Sequence, residues 1–222
     1  LFAEAAVTCT PRQLWNLNTG EPNPSAHTVE VLAVLEHANA LIQSSGQRHP
    51  GVPHMAIHAL EMSPFPERAL EAADSLCGQL PDGGHLEHMP GHIYVLCGDY
   101  AKCVEQSILA VAADDKYVAY AGPDNFYTTA RCHDLHLYMY AAMLAGQFAP
   151  ALTAADRICA TADVGLIKSS APFMASILDG YSAMRTHVLV RFGKWRQLTL
   201  EPAPVSPEVT PVCADMHLYG KG

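Results

Sequence analysis

The sequence predicts an all-α fold, an irregular α-solenoid of about four helical hairpins in a single domain over residues 1–222. Apolar residues recur at helical spacing in several long segments, and glycine- and proline-rich turns separate these segments. Alternating apolar and polar runs of strand length are essentially missing. Short motifs also return at a fixed interval, which is typical of proteins built from stacked helical hairpins.

Five segments carry the helical pattern most clearly. The first has Thr28 as a candidate N-cap, and the second has Pro66 and Glu67 in its first turn, where both residue types are favourable. The five predicted helices span residues 27–43, 66–80, 100–117, 148–163 and 173–192.

Internal repetition indicates how these helices pair. The segment HMAIH at residues 54–58 returns as HMPGH at residues 88–92, which is 34 positions later. The triplet AAD occurs at residues 72–74, 112–114 and 154–156, each time in the second helix of a predicted pair. A 34-residue period is the spacing of tetratricopeptide repeats, and the later units are longer and need inserted turns.

Composition excludes several classes of function. The chain has a formal net charge of −9, and its 13 Lys and Arg residues are scattered. A nucleic-acid interface normally needs a clustered basic face, and an anionic membrane surface needs the same. No apolar run approaches the ~20 residues of a membrane-spanning helix, so we expect a soluble protein without nucleic-acid or membrane partners.

The cysteines and the chain ends set two further expectations. The seven cysteines form no CxxC motif and their number is odd, which favours reduced thiols in a reducing compartment such as the cytoplasm. The chain begins at Leu1 within a helical pattern and stops at Gly222 as another helical pattern begins. We therefore expect a fragment of a longer protein.

Histidine is the residue type that points to chemistry. The chain contains 12 histidines, and His54 and His58 are one helical turn apart, with Glu61 three residues further on. His88 and His92 repeat this placement, and His85 lies one turn earlier. If the helix instead begins at Pro90, His85 and His88 belong to the turn that enters it.

A third pair, His133 and His136, has i, i+3 spacing around Asp134. All three pairs fall on first helices of predicted hairpins, and such helices line one concave surface of a solenoid. Packed imidazoles lose hydrogen bonds to water unless a ligand compensates, and neutral imidazole suits transition metals. The sequence therefore predicts a metal site of seven histidines: His54, His58, His85, His88, His92, His133 and His136.

The chemistry of such a site stays open at this point. Copper or zinc fits a set of imidazoles with few carboxylates better than magnesium or calcium does. A copper oxidoreductase and a zinc hydrolase with Glu61 as general base are both compatible, with the first slightly favoured. The alternatives are a structural metal only, or a non-catalytic scaffold that binds a small molecule, peptide or partner protein in its concave groove. In a metal site, Glu87 and Asp134 are candidates for orienting the histidines that bind the metal.

The same segments resemble a widespread family of tetratricopeptide-like proteins, mostly of uncharacterised function. The resemblance rests on HPGVPHMAIHALE at residues 49–61, GHLEHMPGHIY at residues 84–94 and RCHDLHLYMY at residues 131–140, and it extends over nearly the whole chain. It implies the helical-repeat fold and missing terminal parts. The chain departs from the family pattern at Met55, where an aromatic residue is usual, and at Asp134, where Asn is usual. The matching positions are His49, His54, His58, Glu61, His85, His88, His92, His133 and His136.

Overall fold

The computed structural model describes all 222 residues, and most of them are helical. No β-strand forms, and the only pairing of that kind is an isolated antiparallel bridge between Trp15 and Pro22. The prediction of an all-α fold is therefore confirmed. None of the helices is both long enough and apolar enough to cross a lipid bilayer.

The chain divides into two compact units, Leu1–Ala110 and Val111–Gly222. The boundary falls within one long helix, Tyr100–Ala121, which we label α6 below. The arrangement of all hairpins as one continuous solenoid stays a prediction from the sequence.

Unit 1 packs short helices around a small apolar core. Helix α3 (Gly51–Leu60) lies against α2 (Thr28–Ser45), α4 (Leu70–Leu76) and α5 (Gly84–Leu96), so two predicted first helices, α3 and α5, are neighbours. Ile57 of α3 and Ile93 of α5 are fully buried, and each contributes about 1.5–3 kcal/mol of hydrophobic free energy. The helices of unit 1 are α1 (Phe2–Cys9), α2 (Thr28–Ser45), α3 (Gly51–Leu60), α4 (Leu70–Leu76), α5 (Gly84–Leu96) and the first half of α6 (Tyr100–Ala121), with a 3-10 turn at Pro66–Ala69.

Unit 2 is built on a close hairpin of two helices, α7 and α8. Ala151, Ala154 and Ala155 of α8 are fully buried, and such small side chains allow close helix packing. After the second half of α6, the helices of unit 2 are α7 (Thr128–Leu144), α8 (Phe148–Thr161), α9 (Val164–Ser169), α10 (Pro172–Ser182), α11 (Met184–Arg191), α12 (Trp195–Leu200) and α13 (Pro211–Lys221).

Two of the glycine-containing turns predicted between the helices are present. Gly98 and Gly146 have φ values of 83° and 72°, in the left-handed region that glycine adopts without steric cost. Each glycine follows the first helix of a hairpin, α5 or α7. The sequence signal for these helix ends is therefore confirmed.

Three local predictions were wrong. The segment 66–80 is a 3-10 turn at Pro66–Ala69 followed by α4, which ends at Leu76. The segment 173–192 is not one helix, because α10 ends at Ser182 and α11 begins at Met184. The Ser182 hydroxyl donates to the Asp179 carbonyl at 2.7 Å, and Gly180 weakens the helix at the same place. Thr28 does not cap α2, since it is the first helical residue and its hydroxyl donates to the Leu14 carbonyl at 2.6 Å.

Candidate metal centre

Two neighbouring helices of unit 1 carry the candidate site. Helix α3 begins directly after Pro50 and has Pro53 in its first turn, where a missing N–H costs nothing. Its apolar face, with Ile57 and Leu60, is buried. His54 and His58 lie one turn apart on a different face of this helix and are half-buried.

Helix α5 contributes three more histidines. It begins at Gly84, six residues before Pro90, so His85, His88 and His92 all belong to the same helix. The alternative in which the helix begins at Pro90 is therefore wrong. Their i, i+3, i+7 spacing places the three imidazoles along one side of α5. The proline is tolerated inside the helix at the cost of one backbone hydrogen bond.

His54, His58 and His85 form a compact triad across the two helices. One ring nitrogen from each lies within 4.8 Å of the others, which is a grouping that could hold a metal ion. His54 Nε2 and His85 Nε2 are 3.2 Å apart. The His58 ring centroid lies 4.8 Å from that of His54 and 5.8 Å from that of His85.

His88 and His92 form a second pair along α5. Their Nε2 atoms lie 2.8 Å apart and their ring centroids lie 4.6 Å apart. The His88 ring also stacks near the His85 ring, with centroids 6.2 Å apart. Five imidazoles therefore form one continuous cluster in unit 1.

Glu61 lies between the two groups of histidines. It directly follows the last residue of α3, and its side chain is 19% exposed. Its Oε1 accepts from His58 Nδ1 at 3.0 Å, and its Oε2 lies 3.2 Å from His92 Nδ1. One carboxylate thus contacts one histidine of each helix.

The surroundings favour neutral imidazoles in the cluster. Burial, followed by the charges of neighbouring histidines, lowers the pKa of both His54 and His85 to about 4. Burial also lowers the pKa of His92. A neutral imidazole has a free ring nitrogen for a metal, so these groups are in the correct protonation state at neutral pH.

Glu61 is instead held in its charged form. Burial opposes ionisation, but the hydrogen bond from His58 and the electrostatic interactions with His92, His58 and Arg12 outweigh it and lower the pKa of this carboxyl. The carboxylate is therefore available as an acceptor for both imidazoles.

His133 and His136 lie on α7, in unit 2. Burial, with the nearby His187, lowers the pKa of His136, whose ring stacks on Tyr140 with centroids 6.5 Å apart. The participation of this pair in a metal site stays a prediction from the sequence.

The two acidic residues that were predicted to orient histidines, Glu87 and Asp134, are both buried. Glu87 is buried and accepts from the Gln106 side-chain amide at 2.6 Å. Asp134 interacts with Asp114 and Tyr127 within unit 2. In unit 1 the carboxylate that contacts the imidazoles is Glu61, which the sequence had suggested as a general base.

Comparison with known proteins adds no assignment. No protein-family model matches this chain, and no curated protein and no solved structure shows significant similarity to it. The geometry of the histidine cluster is therefore the basis for a functional proposal.

Proposed function

We propose that unit 1 binds a transition metal, copper or zinc, through His54, His58 and His85. The separation of ligand atoms carries this proposal. His54 Nε2 and His85 Nε2 are 3.2 Å apart. Two imidazole nitrogens on a tetrahedral zinc with bonds of about 2.0–2.1 Å lie about 3.3–3.4 Å apart. The two helices thus hold these nitrogens close to a coordinating distance.

The choice of metal follows from the donor atoms. The triad consists of imidazoles, which suit zinc and copper, whereas magnesium and calcium prefer oxygen ligands. His88 and His92 supply two further ring nitrogens on α5, 2.8 Å apart, for a second metal position. The cluster therefore supports one or two ions.

We further propose that the metal site is catalytic. Three protein ligands leave a coordination position for water, dioxygen or a substrate, as in catalytic rather than structural zinc sites. Copper in this position would supply redox chemistry, as in an oxidoreductase, which the dominance of imidazole over carboxylate ligands slightly favours. Zinc would supply a Lewis acid for a hydrolase, in which Glu61 would be the candidate general base.

A second function, non-catalytic binding by a tetratricopeptide-like scaffold, is favoured by one feature of unit 1. A cavity of about 420 Å³ is lined mainly by polar side chains, among them Asn39, Arg48, Glu71 and Asp74. A cavity of this volume suits a small polar molecule or part of a peptide. Saturable peptide binding that is independent of metal content supports this alternative.

The metal proposal is tested with protein purified without a histidine tag. Elemental analysis is expected to find at least one equivalent of copper or zinc. A chelator is expected to lower the melting temperature, because a metal at 100 times its Kd stabilises the folded state by about 2.7 kcal/mol. The proposal is contradicted if elemental analysis finds no stoichiometric transition metal and the chelator leaves the melting temperature unchanged.

Two alanine variants make this test specific to the triad. His58→Ala removes one of three ligands and is expected to weaken metal binding more than about 100-fold. His37→Ala is the matched control, since His37 is an exposed histidine on α2 of the same unit. Equal metal binding by the two variants contradicts the assignment of the triad.

A further inference from the structure

The Glu61 carboxylate makes a pair of contacts that the proposed metal site does not by itself require. Oε1 contacts Nδ1 of His58 on α3, and Oε2 contacts Nδ1 of His92 on α5, at 3.0 Å and 3.2 Å. Glu61 thus contacts an imidazole of the triad and an imidazole of the His88–His92 pair at the same time.

These contacts determine which ring nitrogen carries the proton. An ionised carboxylate only accepts hydrogen bonds, so each facing Nδ1 must be the N–H donor. In a neutral imidazole the other nitrogen, Nε2, then has a free lone pair. Nε2 of His92 lies 2.8 Å from Nε2 of His88, so without a metal its lone pair accepts a hydrogen bond from the Nε2–H of His88.

We propose that Glu61 is a shared positioning residue, which fixes the Nδ1–H tautomer and the ring orientation of both His58 and His92 and thereby prepares both metal positions. The inference rests on the proposed metal binding. In this role Glu61 acts through the imidazoles of His58 and His92. A carboxylate that orients a metal-binding histidine typically changes metal affinity by about 10–100-fold.

The substitution Glu61→Gln separates positioning from simple packing. The amide has nearly the same shape, but it offers one acceptor oxygen and one donor NH₂ in place of two acceptor oxygens. The imidazole that faces the NH₂ must present a bare Nδ1, so its proton moves to Nε2, the nitrogen that binds the metal. One of the two histidines is therefore expected to lose its function as a ligand.

The direct readout is the tautomer of each histidine in the metal-free protein. Long-range ¹H–¹⁵N correlation spectra at pH 7.5 are expected to show Nδ1–H for His58 and His92 in the wild type. In Glu61→Gln one of them is expected to be Nε2–H. Glu67→Gln, which changes an exposed carboxylate of the same unit, is the control and is expected to leave both tautomers unchanged.

Metal titration of the same three proteins completes the test. Glu61→Gln is expected to bind zinc about 10–100-fold more weakly than the wild type, and Glu67→Gln equally well. Unchanged tautomers in Glu61→Gln, or switched tautomers with unchanged zinc affinity, overturn the positioning role. A wild type that binds no zinc or copper overturns the proposed function instead, and the spectra of the metal-free protein distinguish the two failures.

Discussion

Five imidazoles and one carboxylate lie together in unit 1, and each was identified from the sequence as a candidate site residue. The helical spacing of His54 and His58, and of His85, His88 and His92, was sufficient to place each set on one side of a helix. The bridging position of Glu61 was not predictable. Its i, i+3 spacing indicates contact with His58, but contact with His92 depends on how α3 packs against α5.

Asp134 is buried in unit 2, and burial and the adjacent Asp114 raise the pKa of its carboxyl. When a carboxyl has a higher pKa in the folded than in the unfolded protein, the free energy of unfolding decreases as pH rises. Asp134→Asn removes this cost, and we expect the free energy of unfolding at pH 7.5 to increase by about 1–3 kcal/mol.

Urea unfolding at two pH values checks this expectation. The gain should disappear below about pH 4, where the carboxyls of the wild type are protonated. Asp124→Asn alters an exposed carboxylate of the same unit and should have little effect at either pH. A loss of stability at pH 7.5 contradicts the account of this pair.

For the helices, the sequence patterns predicted the presence of a helix more reliably than the residues at which it begins and ends. The predicted helices at residues 27–43, 100–117 and 148–163 are all present as α2, α6 and α8. The break at Ala183 was missed because the apolar pattern continues through it.

The first turn of helix α13 is capped from another helix. The buried Asp179 of α10 accepts hydrogen bonds from the backbone N–H groups of Val212 and Cys213 at 2.9 and 3.2 Å. Asp179→Ala leaves these donors without an acceptor and is expected to cost about 1.5–3 kcal/mol. Thermal unfolding measures the loss.

The control for this variant lies on the same helix. Asp215→Ala removes an exposed carboxylate from α13 and is expected to change stability by less than about 0.5 kcal/mol. Hydrogen exchange should show the loss in Asp179→Ala concentrated in α13. Equal stability of the two variants contradicts the capping role of Asp179.

For the whole molecule, the division into two compact units was not visible in the sequence. A repeat pattern reports neighbouring hairpins, and it does not report where contacts between distant segments become sparse. The all-α class was predictable because helical periodicity and turn residues agreed along the chain. The solenoid itself, which depends on how successive hairpins pack, remains a prediction.

The groups with shifted pKa values act in opposite directions in the two units, apart from His136 and His217 of unit 2, whose lowered pKa values act like those of His54 and His85. In metal-free unit 1, His54 and His85 have folded pKa values of about 4, below the ordinary 6.5, so stability is lost as pH falls from about 6.5 to 4. In unit 2 the raised pKa values of Asp114 and Asp134 make the folded state more stable as pH falls. Hydrogen exchange at pH 7.5 and 4.5, corrected for intrinsic rates, reports each unit separately.

Partial exposure of His54 and His85 to solvent reduces this loss of stability. Between pH 7.5 and 4.5 we expect the free energy of opening that hydrogen exchange measures in unit 1 to fall by about 1–3 kcal/mol in total. His54→Gln, which keeps a polar side chain that does not titrate, should reduce this loss. A uniform change in both units contradicts the assignment of the pH dependence to these groups.

The metal environment itself is the most direct test of the central claim that the unit 1 histidines bind a transition metal. X-ray absorption spectroscopy of the zinc- or copper-loaded protein measures the first coordination shell. A metal bound by the triad is expected to show at least three imidazole nitrogens at about 2.0–2.1 Å, with one fewer in His58→Ala. A first shell of sulfur or of oxygen alone, or an unchanged shell in His58→Ala, contradicts it.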